Sequence, residues 1–216
     1  SEGDYFANIA EFIDDDILEK LSSDLQKNFE DDKNSRSDWE KTYKEGLDLF
    51  DDPDTVDVNL LMCGPGDQVH AQNIINVCNS RKDCVGFISP LFADVVGVTS
   101  SATQTTNIKT YFDALSSTSY AVFDSGWKYQ YDTYNDVFRW IPLNADLAGC
   151  CANTDGVADP WFSPAGYNRG NVRGAIALSY NPTGGERDQL YRARINPVVN
   201  FPGQGVVLFG DKTALS

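Results

Sequence analysis

The sequence predicts an α/β fold: a largely parallel sheet flanked by helices and followed by a C-terminal hairpin. Three observations predict it. Apolar runs at Val56 to Met62, Val85 to Ile88 and Tyr120 to Phe123 alternate with stretches of helical spacing, which is the pattern of βαβ units. Hydrophobic residues make up 41% and aromatic residues 12% of 216, enough for a packed globule and too much for a disordered chain. Val198 to Phe201 and Val206 to Phe209 flank Pro202-Gly203-Gln204-Gly205, two strands around a turn.

In chain order, residues 1–34 show helical spacing through Phe6, Ile9, Ile13, Ile17, Leu21, Leu25 and Phe29, with acids between them. Asp31 to Ser35 holds no apolar residue and is expected to be a linker, so the domains are expected at 1–35 and 36–216. Ser37 with Glu40 three residues on forms a capping box for a helix whose face carries Trp39, Tyr43, Leu47 and Phe50. Asp51, Asp52 and Pro53 end it. Further helices are expected over 67–80, 103–116 and 141–154, and from Glu186 to Ile195, the last stopped by Asn196-Pro197. Residues 127–140 are the aromatic centre of the chain; Lys128 and Arg139 are balanced there by Asp132 and Asp136. That balance disfavours stacking on nucleic acid and favours packing under a long ordered loop or contact with another protein.

Charge narrows the partners. The formal net charge is −15, which opposes binding to nucleic acid or an anionic membrane through phosphates. No apolar run is long enough to span a bilayer. Residues 1–57 carry 19 acidic and 6 basic side chains, whereas the remaining 159 carry 13 and 11. Five cysteines, two of them adjacent at Cys150 and Cys151, lack the close pairs of a zinc site and the even count of a disulfide framework. Reduced, buried thiols are expected, with no metal and no cofactor.

The residues with catalytic potential converge poorly. Gly64-Pro65-Gly66 follows a strand and precedes a helix, as a phosphate-binding turn would. Its third glycine is missing, and Asp67 would repel phosphate, so Asp67 is better explained as a helix N-cap. His70 is the single histidine, and Ser89 is followed by Pro90 where a nucleophile elbow needs glycine. A structural histidine is expected, and no catalytic residue is assigned. The rival reading, an α/β hydrolase-like or nucleotide-binding enzyme centred on Gly64 to His70, needs a second polar group in a pocket with His70.

The strongest signal is a set of consecutive blocks. Lys128-Tyr-Gln-Tyr-Asp-Thr-Tyr-Asn-Asp-Val137, Arg139-Trp140 and Pro142-Leu-Asn-Ala-Asp-Leu-Ala-Gly149 come first, then Thr154-Asp155. Trp161-Phe-Ser-Pro-Ala-Gly-Tyr-Asn-Arg-Gly170, Asp188-Gln-Leu-Tyr191, Ile195-Asn-Pro197 and Gly205-Val-Val-Leu-Phe-Gly-Asp-Lys-Thr213 follow. In order and spacing, residues 36–213 resemble the tail sheath proteins of contractile-tailed, T-even-like bacteriophages, with weaker similarity from Trp39 through Val56-Asp-Val-Asn-Leu60.

The resemblance implies a structural virion protein that is not an enzyme. Subunits of that kind stack as six-fold helical rings around a tail tube and shorten on a baseplate signal, driving the tube through the host envelope. The implied partners are other sheath subunits, the tail tube protein, and the baseplate and tail terminator proteins. The implied setting is the virion tail, assembled in the host cytoplasm. It also implies a subtilisin-like topology without the protease's catalytic residues. Residues 1–34 match the family poorly, and family members continue past Thr213 into a C-terminal arm domain. A fragment lacking both arms, and so monomeric, is therefore expected. The related alternative is the sheath of a bacterial contractile injection system. Arg169, Arg173, Arg187, Arg192 and Arg194 concentrate base in the weakly charged C-terminal half, and they are the candidates for meeting a neighbouring subunit's acidic N-terminal surface.

Overall fold

The computed structural model describes residues 41–216. The expected helix over 1–34, the linker, and the Ser37–Glu40 capping box with Trp39 lie outside the described residues. Of Ser1–Gly46, residues 41–46 are described and are helical. Leu47–Ser216 is a second compact unit.

In that unit the strand–helix alternation builds a four-stranded parallel sheet. Its strands are β1 (Leu60–Met62), β2 (Val85–Ile88), β3 (Ala121–Asp124) and β7 (Ile195–Asn196), side by side in that order. The pairing register sets Leu60 beside Val85, Gly86 beside Ala121 and Phe123 beside Ile195. Three helices connect the first three strands: α1 (Gln68–Arg81), the single turn α2 (Phe92–Val95) and α3 (Ser101–Asp113). The long crossover from β3 to β7 carries α4 (Asn144–Val157) and α5 (Gly184–Arg192).

Side chains alternate across the sheet, as a pleated strand requires. On one face, a Cβ at Gly86 would come within 2.9 Å of Ile74 Cγ2 and 3.2 Å of Cys78 Sγ, so the glycine lets α1 lie close. Phe123 stacks on Phe112 of α3 on that same face, ring centroids 4.3 Å apart. On the other face Phe87 joins Leu143, Leu147 and Ala148 of α4 in a buried cluster with Val198 and Leu208. Helices therefore cover both faces, which explains why the strands read as apolar runs.

Three expectations are corrected. Residues 127–140, read without strands, form an antiparallel hairpin of β4 (Trp127–Asp132) and β5 (Val137–Pro142), with β6 (Ala177–Leu178) on the outer side of β4, and the loop carrying Arg173 and Gly174 lies against it at Lys128 and Gln130. Asp136 takes φ 53° in its turn, a left-handed conformation that aspartate tolerates better than most residues. The last helix stops at Arg192, and Ile195, expected within it, is the strand residue paired with Phe123. Arg194 at φ 68° makes the reversal between them. The first strand begins at Leu60 rather than Val56. The C-terminal hairpin is present: β8 (Val198–Phe201) pairs antiparallel with β9 (Gly205–Leu208).

Candidate functional site

The carboxyl edge of the parallel sheet is where an α/β enzyme would place its chemistry, and here the polar groups close on one another. Asp67 is the N-cap of α1, its carboxylate accepting from His70 N at 3.0 Å, as its position after Gly66 implied. His70 turns its ring back, and Nε2 donates to Cys63 O at 3.0 Å. A Cβ on Gly66 would sit 2.3 Å from His70 Cδ2 and 2.8 Å from Cys63 Sγ, so the imidazole fills the place a side chain would take. Burial holds His70 below the usual histidine range and pushes the Cys63 thiol up to about 12. A thiol so raised is a poor nucleophile at neutral pH.

Sequence inspection missed the centre of this edge. Ser89 Oγ donates to Asp124 Oδ2 at 2.6 Å and accepts from Asn144 N at 2.9 Å, while Asp124 Oδ1 accepts from Gly126 N at 2.9 Å. Asn144 Nδ2 donates to Gly64 O at 2.8 Å. The ends of β2 and β3 are thereby tied to the start of α4 through the buried Ser89, Asp124 and Asn144, and the end of β1 through the half-buried Gly64. Burial pushes the Asp124 carboxyl up to about 8. The only hint in the sequence was an acid ending an apolar run ahead of Ser125-Gly126. His70 is not among the partners of Ser89 or Asp124, so the Gly64–His70 enzyme reading loses the convergence it required.

Among the described residues no cluster of His, Cys, Asp or Glu could hold a metal, and no helix is long and apolar enough to cross a membrane. All five cysteines are free thiols, four of them buried and Cys151 half-buried.

The five arginines do not form one patch. Arg169 Nε donates to Ser163 O at 2.7 Å, and its guanidinium lies over the Phe162 ring. Arg187 lies over the rings of Phe201 and Phe209. Arg194 Nη1 donates to Ala214 O at 2.8 Å. Arg173 and Arg192 are exposed. Arg169 and Arg173 are brought together by the loop after α4, where Gly170 and Val172 bond to β9: Gly170 O accepts from Leu208 N at 2.7 Å and Val172 N donates to Val206 O at 2.9 Å. Below them Lys128 Nζ donates to Asp146 Oδ1 at 2.8 Å in a largely buried pair. Burial raises the Asp146 carboxyl despite that lysine.

With no convergent catalytic group among the described residues, similarity to known proteins decides the family. A sequence model of the phage tail sheath protein central domain matches residues 43–214. The chain belongs to the phage tail sheath protein family. Its similarity to the tail sheath protein of Vibrio phage KVP40 is 43% identity over 189 residues, 78% of this chain and 28% of that protein. For the tail sheath protein of Enterobacteria phage T4 it is 41% over 187 residues, 80% of this chain and 28% of that protein. The fold is also that of a subunit in the PVC sheath complex of an extracellular contractile injection system, solved in its contracted state. That match has TM-score 0.57 and 20% identity, over 76% of this chain and 42% of the other. The chain thus spans a little over a quarter of the length of the two phage relatives.

Proposed function

We propose that this chain supplies the inner α/β part of a contractile tail sheath subunit, a structural protein that works by self-assembly. The observation that carries this is the family match over residues 43–214. The buried polar edge supports it, because Ser89, Asp124 and Asn144 are spent on fixing α4 to the sheet. In this reading the domain covers 36–216, with 1–35 an acidic segment. Subunits stack in six-fold helical rings around the tail tube, contact baseplate and terminator proteins, and contract to drive the tube through the host envelope. Assembly takes place in the host cytoplasm, and no step calls for catalysis or a cofactor. A bacterial injection-system sheath is the alternative, favoured by the shared fold; the 43% and 41% identities to phage proteins favour the phage.

Electron microscopy of the purified full-length gene product tests this. Regular tubes or stacked rings are the expected result. A protein that stays monomeric at high concentration would overturn it.

A further inference from the structure

Two separate surfaces of the molecule carry opposite charge. The acidic one is the loop leading into β1, where Asp48, Asp51, Asp52, Asp54 and Asp57 are all exposed within ten residues. Its backbone is held from beneath. Arg81 Nη1 donates to Phe50 O at 2.6 Å and Nη2 to Val56 O at 2.8 Å, while Nε and Nη2 bind the Asp83 carboxylate. The loop therefore presents its carboxylates from fixed positions, at the amino end of the strands.

The second surface is a cavity of about 250 Å³ beside the first turns of α4. That helix starts at the carboxyl edge, where Asn144 bonds to Ser89 and Gly64. Asp146, Asn153, Asn168, Asn171, Arg169 and Arg173 line it. Lys128 neutralises Asp146, so the charge that reaches solvent belongs to the two arginines. Ser163 and Phe162 hold Arg169 in place. The Arg173 guanidinium makes no hydrogen bond or ion pair with the described residues. Arginine guanidinium and asparagine amide groups together donate to carboxylates.

We propose that this cavity receives the Asp48–Asp57 loop of a second copy of the chain. The loop's carboxylates complement the cavity's two arginines in charge, and the contact rests on the sheath reading for its biological sense. Because the two surfaces differ, the contact is heterologous and repeats from copy to copy, closing a ring or extending a helix. Polar, largely exposed pairs are individually weak, which suits contacts that are made and broken while an array of many copies supplies the strength.

The test uses two variants of the full chain. Asp51→Lys with Asp54→Lys disables the loop and keeps the cavity; Asp52 is left alone because its carboxylate accepts from Asp54 N. Arg173→Glu disables the cavity and keeps the loop. The loop variant, labelled with nitrogen-15, is titrated with the unlabelled cavity variant to about 1 mM, the affinity expected of a few exposed pairs. The expected result is amide shifts confined to the cavity, at Asn153, Asn168 and Asn171, lost at about 1 M salt where charges are screened beyond ~3 Å. Repeating the titration with the labelled cavity variant and unlabelled loop variant should leave those amides unmoved. Should Arg173→Glu misfold, Arg173→Gln takes its place as the loop donor, and the same shifts at the labelled cavity are expected. No shifts, or shifts away from the cavity, would overturn the contact, and so would shifts that survive loss of the loop charges from the titrant. Tube formation by the full-length product is a separate readout. Tubes without cavity shifts would sink this contact and leave the sheath reading standing, and shifts without tubes would do the reverse.

Discussion

The parallel sheet and the sheet built on the β4–β5 hairpin are finished in opposite ways. In the parallel sheet, the inner strands are covered on both faces, Phe123 and Phe87 being almost wholly hidden from solvent while Met62 on the edge strand β1 is exposed, and at its carboxyl edge Ser89, Asp124 and Asn144 bond to one another or to nearby backbone. The β4–β5 hairpin has the more aromatic sequence, yet Tyr131 and Phe138 stay more than a third exposed. Its rings pack across the two strands instead: Tyr129 against Trp140 and Phe138, and Tyr131 against Phe138, with centroids 5.0 to 5.6 Å apart. Aromatic content thus does not locate the core here. Coverage by helices on both faces does.

Breaking the covered side should cost most. Phe123→Ala removes a fully buried ring stacked on Phe112 and is expected to destabilise by about 3–5 kcal/mol, measured by urea unfolding. A loss under about 1 kcal/mol would mean that the two-face packing is not what holds the sheet. Next comes the turn at the carboxyl edge. Gly66→Ala drives a methyl into the His70 ring, with an expected cost of about 1–3 kcal/mol in the same assay; a neutral result would show that the imidazole is free to move.

The buried edge also predicts a pH dependence. Folded Asp124 keeps its proton up to about pH 8, whereas an unfolded aspartate loses it near ~3.9. The folded chain binds more protons between those values, so this residue's contribution is full at low pH and is lost as pH rises through about 8. His70, held low by burial, contributes the opposite slope through its own range. Comparing wild type with Asp124→Asn isolates the first effect. The variant's unfolding midpoint should fall less between about pH 5 and 9, and parallel profiles would show that Asp124 does not titrate in the fold. The smallest effect belongs to the open hairpin. Phe138→Ala should cost under about 1 kcal/mol, the worth of a cross-strand aromatic pair; a larger loss would make the hairpin part of the core after all.

Much of the parallel sheet was legible because apolar runs and helical spacing are local. The strand Val85–Ile88 was located to the residue, and the helix over 68–81 to within one. Where local pattern and tertiary demand disagreed, the latter prevailed. Ile195 continues a helical spacing from Glu186, but the sheet had a free edge beside Phe123, and pairing there outweighed one more helical turn. The aromatic run at 127–140 alternates with polar residues as a hairpin should; attention to ring content obscured that period of two.

The candidate surface divides in the same way. That residues 1–57 are acidic and the C-terminal half richer in arginine is a property of composition, readable without coordinates. Which arginines are available is not, because Arg169, Arg187 and Arg194 find internal partners far along the chain or across a loop. Nor could spacing show that Ser89, Asp124 and Asn144 meet, 35 and 55 residues apart. By itself the sequence determined the α/β class, the family through its consecutive blocks, and the helix cap at Asp67, all of which rest on neighbours along the chain. Only the tertiary structure decided the closure of the carboxyl edge, the hairpin, and the cavity where Arg173 has no partner among the described residues. These depend on which distant segments the crossovers bring together, and a buried polar group is stable only where such a segment supplies its hydrogen bond.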